Sequence, residues 1–190
     1  MNHQLSNICL SGEGRGRMKL LSNTTLFSYE SINDTKKKIW KMGVDIPLHG
    51  SELLALDWSE IEKSGAKFRG NFSRRIYVTL RNHEKSKENL DNLKSFADGF
   101  GQLIYLKEEM NSASESLCTS EKCSVGNKEL LWTFADGHLF FDYRGRSGKL
   151  MRFDFSVLGK KGPEKLSIYP IENSSKSANF KLELFFNDCK

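Results

Sequence analysis

Residues 129–158 read ELLWTFADGHLFFDYRGRSGKLMRFDFSVL, and two turn signals inside them decide the fold. Asp136-Gly137 is the dipeptide of a two-residue type I′ hairpin, in which both turn positions need positive φ. Taking it as the loop sets Phe134 opposite Leu139, Trp132 opposite Phe141 and Leu130 opposite Tyr143. Downstream, Arg146-Ser147-Gly148 fits a three-residue loop with Gly148 in the left-handed position. That second register sets Tyr143 opposite Met151, Phe141 opposite Phe153 and Leu139 opposite Phe155. Both turns thus put the same residues of the middle strand on one apolar face. A slip of one residue would send them all to the other face, so the agreement fixes a three-stranded antiparallel meander. The opposite face carries Thr133, Phe140, Asp142 and Arg152, with Asp142 facing Arg152 as a cross-strand ion pair. Phe140 on that face needs a reason to be there.

Working outward, residues 165–169 and 180–186 read as two more strands, separated by a Ser/Asn/Lys loop over 173–179. On the other side, residues 85–98 change period. Leu90, Leu93, Phe96 and Ala97 fall at helical spacing, and Gly99 stands where a helix stops. Residues 74–81 alternate Ile76, Val78 and Leu80 against Tyr77, Thr79 and Arg81, the pattern of a half-buried strand. Residues 102–109 read as a further strand. Nearer the start, 17–21 and 24–29 read as neighbouring strands and 52–56 as another. Residues 33–42 read as a short helix capped by Asn33 or Asp34 and stopped by Gly43, and 1–17 as an irregular segment. The sum is an α+β fold: a predominantly antiparallel sheet with a C-terminal meander (129–158) and one main helix (85–98) packed on it. A single compact domain over 1–190 is the economical organisation, since a chain of this length buries roughly 70% of its surface without help from a metal. Thirteen Phe and only three Pro favour sheet, and 28% charged residues beside 38% hydrophobic ones exclude a disordered chain.

The four cysteines are Cys9, Cys118, Cys123 and Cys189. An even count fits disulfides, and of the three pairings Cys9–Cys189 with Cys118–Cys123 is the natural one. Domain termini often meet, and Cys118 and Cys123 bracket four residues of a polar stretch. A zinc site would need a second ligand cluster, whereas His3, His49, His83 and His138 are scattered. No metal and no cofactor are expected. Paired cysteines imply a periplasmic or extracellular location, with a signal sequence removed from the chain, because residues 1–11 lack the apolar stretch of a leader. No run reaches the ~20 apolar residues of a transmembrane helix.

Chemical motifs fail on spacing. Gly12, Gly14 and Gly16 do not make the G-x-G-x-x-G of a dinucleotide loop, and Gly145–Lys149 has its first glycine at the wrong distance for a P-loop, with Leu150 where Ser or Thr should stand. Glu108 and Glu109 would point to opposite faces of a strand. The net charge of +5 is modest for a nucleic-acid module, and no RNA-recognition consensus accompanies the basic residues. With no catalytic constellation, the sequence points to a secreted binding protein that is not an enzyme. The concrete version is an inhibitor such as an immunity protein, which would neutralise a secreted toxin by direct contact. Its acidic partner surface would meet the basic hairpin residues Arg144, Arg146, Lys149 and Arg152. The residues leave two other classes open: an enzyme built around His138 with Asp136 or Asp142, and a basic nucleic-acid-binding module.

Overall fold

The structure is a computed structural model that describes residues 8–112, 118–125, 128–145, 147–159, 162–171 and 179–190. Over these residues it is mostly antiparallel sheet with two helices. In chain order the elements are β1 (Gly12–Leu20), β2 (Asn23–Asp34), β3 (Ile39–Ile46), β4 (Gly50–Asp57) and β5 (Lys67–Arg69). Then come α1 (Asn71–Arg81) and α2 (Ser86–Ser112). The chain closes with β6 (Lys122–Val125), β7 (Lys128–Ala135), β8 (His138–Arg144), β9 (Leu150–Gly159), β10 (Gly162–Ile171) and β11 (Phe180–Cys189).

All eleven strands form one sheet in the order β5-β4-β3-β2-β1-β11-β10-β9-β8-β7-β6. Two meanders therefore run outward from the β1–β11 pair at the centre, and the helices connect one edge of the sheet to the other. Cys9–Cys189 (S–S 2.01 Å) ties the chain beside that central pair, where Gly12 faces Cys189. Cys118–Cys123 (S–S 2.10 Å) ties the residue Cys118 back onto β6.

The meander keeps the register its turns dictate. Leu130 faces Tyr143, Trp132 faces Phe141 and Phe134 faces Leu139, then Phe141 faces Phe153 and Leu139 faces Phe155. Asp136 and Gly137 take φ of 53° and 78°, the two positive values a type I′ turn needs, and Gly148 takes 82°. The expected strands at 165–169 and 180–186 lie inside β10 and β11; the loop over 173–179 falls, but for residue 179, outside the described residues.

Five expectations are overturned, each for a local reason. Residues 12–17 are strand, not irregular: the alternation of glycine with Glu13, Arg15 and Arg17 is itself a period of two, with the glycines turned inward. A Cβ on Gly14 would lie 1.9 Å from the Phe185 carbonyl oxygen, and one on Gly16 would lie 2.1 Å from the Phe27 ring, so only glycine fits. Residues 33–42 are the end of β2, a turn and the start of β3. Asp34 Oδ1 accepts from the Lys37 N–H (3.1 Å), which is capping chemistry used to close a turn. Residues 74–81 belong to α1. Phe72, Ile76 and Leu80 are buried at i, i+4 and i+8, whereas Val78 is 46% exposed, which a strand face would not allow. Residues 102–109 continue α2 with Leu103, Ile104 and Leu106 buried. Gly99 is a close-packing position within that helix, since a Cβ there would lie 2.7 Å from the Phe153 ring and 3.0 Å from Tyr143 Cβ.

The core lies between α2 and the concave face of the sheet. Phe96 and Phe100 of α2 meet Phe153 (6.4 and 6.2 Å between centroids) and Phe180 (5.3 Å from Phe96), and Trp40 stands edge-on to Phe100 at 4.9 Å. Trp40 Nε1 donates to the Leu10 carbonyl (2.7 Å), which satisfies a donor that burial would otherwise strand.

Candidate functional site

The hairpin cations expected to meet a partner are dispersed. Arg144 is exposed at the tip and donates to the Gly148 carbonyl (3.0 Å). Lys149 is paired with Glu88 of α2, whose carboxyl it holds below the usual range through their hydrogen bond. Arg152 lies mid-strand on the convex face rather than at the tip. Its Nε and Nη2 donate to the two oxygens of Asp142 (2.8 and 2.7 Å), a bidentate pair that raises the guanidinium's pKa. Arg146 lies outside the described residues. Phe140 now has its reason: Arg152 sits 4.7 Å above the ring, and His138 stacks against it at 5.5 Å. His138 Nδ1 is 2.7 Å from Asp154 Oδ1, so its carboxylate partner is neither Asp136 nor Asp142. Among the described residues no three of His, Cys, Asp and Glu converge as a metal site.

A pronounced concavity lies elsewhere. A cleft of about 740 Å³ opens between β5, α1 and the first half of α2. Helical spacing builds one wall: Leu90, Leu93, Lys94 and Ala97 lie at i, i+3, i+4 and i+7 of α2. Arg74 and Tyr77 of α1 form the facing wall, and Phe68 of β5 lies between them, its ring 4.8 Å from Phe96. The interior is thus apolar and aromatic. Four cations stand on its lining, Lys67, Arg69, Arg74 and Lys94, against one carboxylate, Asp91. Arg69 is paired with Asp57 (2.9 Å), whose carboxyl is lowered first by the Ser59 hydroxyl and then by Arg69. Lys67, Arg74 and Lys94 are exposed and form no ion pair among the described residues. Such a site desolvates an apolar body while several charges wait at its edge for an anion.

Sequence reasoning missed this cleft because it read 74–81 as a strand. The signal was present in Phe72, Ile76 and Leu80, which match a helical period as well as Ile76, Val78 and Leu80 match a strand.

A second charged cluster occupies the convex face. Glu183, 3% exposed, is met by Arg17, by Lys165 Nζ (2.7 Å) and by Lys181 Nζ (3.1 Å). Burial alone would raise its carboxyl, but hydrogen bonds from Lys165, Arg17 and Lys181 outweigh that and hold it at about 2.

No protein-family model matches the chain, and no curated protein matches it in sequence.

Proposed function

We infer that the protein is a binding protein for an amphiphilic anion, such as a fatty acyl chain with an acidic headgroup, held in the cleft between β5, α1 and α2. The observation that carries this reading is the composition of that cleft. Phe68, Tyr77, Leu90 and Leu93 offer a surface for the apolar body, while Lys67, Arg74 and Lys94, which form no ion pair among the described residues, offer charge for the head. Its volume of about 740 Å³ falls in the range of small-molecule sites, roughly 300–1,000 Å³. The compartment belongs to the same proposal. Two cysteine pairs at bonding distance fit a periplasmic or extracellular protein, where such ligands must be shielded from water.

The inhibitor reading keeps less support in the β8–β9 hairpin, because Lys149 and Arg152 are engaged by Glu88 and Asp142. An enzyme around His138 would start from the His138–Asp154 pair, which stands on the convex face outside the cleft.

The test is fluorescence titration with dansylundecanoic acid. Low-micromolar binding is expected, with at least about a tenfold loss on Leu90→Lys, which puts a charge against the acyl chain. Arg74→Glu with Lys94→Glu removes the headgroup's cations without touching the core and is expected to weaken the fatty acid but not a neutral dansyl amide of equal length. Equal binding by wild type and Leu90→Lys overturns the reading.

A further inference from the structure

The convex face carries a groove of about 560 Å³ on the side of the sheet away from the helices, lined by Arg15, Arg17, Leu26, Pro47 and Phe185 among others. Strand register explains it. Across β2, β1 and β11, Ser28, Arg15 and Phe185 form one row, Leu26, Arg17 and Glu183 the next, and Thr24, Lys19 and Lys181 the third. Lys165 of β10 faces Phe185 and stands 5.3 Å above its ring. The middle of this face therefore sets five cations, Arg15, Arg17, Lys19, Lys165 and Lys181, against the single carboxylate Glu183. Other acids of this face lie further off or at its rim: Glu13, Glu30 and Asp188 at one end of the strands, Asp45 on the far wall of the groove, and Asp142 and Asp154 on β8 and β9, paired with Arg152 and His138.

Two of these cations are uncommitted. Arg15 and Lys19 form no ion pair among the described residues, while Arg17, Lys165 and Lys181 share Glu183. Large apolar side chains stand among them. Leu26 is 62% exposed and Phe185 38%, and Leu48, next to Pro47 at the β3–β4 turn, is wholly exposed. Apolar anchors beside unpaired arginine are the composition of a protein interface rather than of ordinary solvated surface.

We propose that this groove is a docking site for an extended acidic segment of a partner protein, with an apolar side chain of that segment seated against Leu26 and Phe185 and its carboxylates on Arg15 and Lys19. Complementarity of charge selects the partner's chemistry, and the groove's course across β3, β2, β1 and β11 fits an extended chain laid over the strands. The site lies on the face opposite the cleft and does not depend on what the cleft holds.

The experiment is fluorescence anisotropy with a fluorescein-labelled peptide of glutamates flanking a central Leu-Phe pair, beside its lysine counterpart. Binding of the acidic peptide alone is expected, weakening by about tenfold with Arg15→Glu and Lys19→Glu together. Leu26→Ser is expected to weaken it with the charges intact, and Arg74→Glu with Lys94→Glu in the cleft to leave it unchanged. Failure of the acidic peptide to bind, or binding indifferent to both groove variants, overturns the proposal. So does tighter binding of phosphatidylglycerol vesicles through the same residues, which would make the face a lipid surface.

Discussion

Glu183 offers the sharpest energetic test of the convex face. In the unfolded chain its carboxyl titrates near 4.5, and in the folded protein near 2. Each pKa unit corresponds to about 1.4 kcal/mol, so the charged form is favoured by about 3 kcal/mol over the neutral one in this setting. The tips of Arg17, Lys165 and Lys181 reach solvent, which screens part of this, and about 2–3 kcal/mol is the working figure. A depressed carboxyl contributes stability that is present in full above the unfolded value of 4.5 and is lost as pH falls through about 2. Glu183→Gln keeps the shape and removes the charge, leaving three cations packed around an amide. Urea unfolding without reductant is expected to show the variant about 2–3 kcal/mol less stable at pH 7. The gap between variant and wild type then closes between about pH 5 and pH 2, as the wild-type carboxyl takes up its proton. A variant within about 0.5 kcal/mol of wild type at pH 7, or a gap constant across that range, refutes the reasoning.

Three other outcomes follow from the packing and the bridges. Under non-reducing conditions mass spectrometry should find no alkylatable thiol; opening Cys9–Cys189 should cost about 5 kcal/mol and opening Cys118–Cys123 about 2, by the entropy of the loops they close. Gly99→Ala should lower the melting temperature even though alanine favours helix by about 1 kcal/mol, because its Cβ meets Phe153 and Tyr143; a rise in melting temperature would place the helix further from β8 and β9. Asp136→Ala should destabilise by about 1 kcal/mol in chemical denaturation, since φ of 53° suits Asp and strains Ala, while Gly137→Ala should cost at least as much.

Legibility in the sequence tracked the uniqueness of the local pattern. The 129–158 meander was readable because two turns with strict dihedral needs, Asp136-Gly137 and Gly148, fixed one register from both ends. The disulfide pairing was readable because the topology brings the termini together beside β1 and β11. Residues 74–81 and 102–109 misled because short apolar runs satisfy both periods, and only the exposure of Val78 and the burial of both Leu103 and Ile104 separate them. Gly99 misled in the opposite sense. Glycine ends helices, but here it admits the Phe153 ring, and nothing local announces that. The cleft was invisible because it depends on α1 being a helix and on β5 lying beside α2, neither of which is encoded by any contiguous motif.

Photo-crosslinking with a diazirine-bearing fatty acid, followed by tandem mass spectrometry of the labelled peptides, tests the ligand site most directly. The cleft reading predicts labels on Phe68, Tyr77, Leu90 and Leu93, suppressed by excess unlabelled fatty acid. Labels scattered over the convex face, or unaffected by that excess, would contradict it.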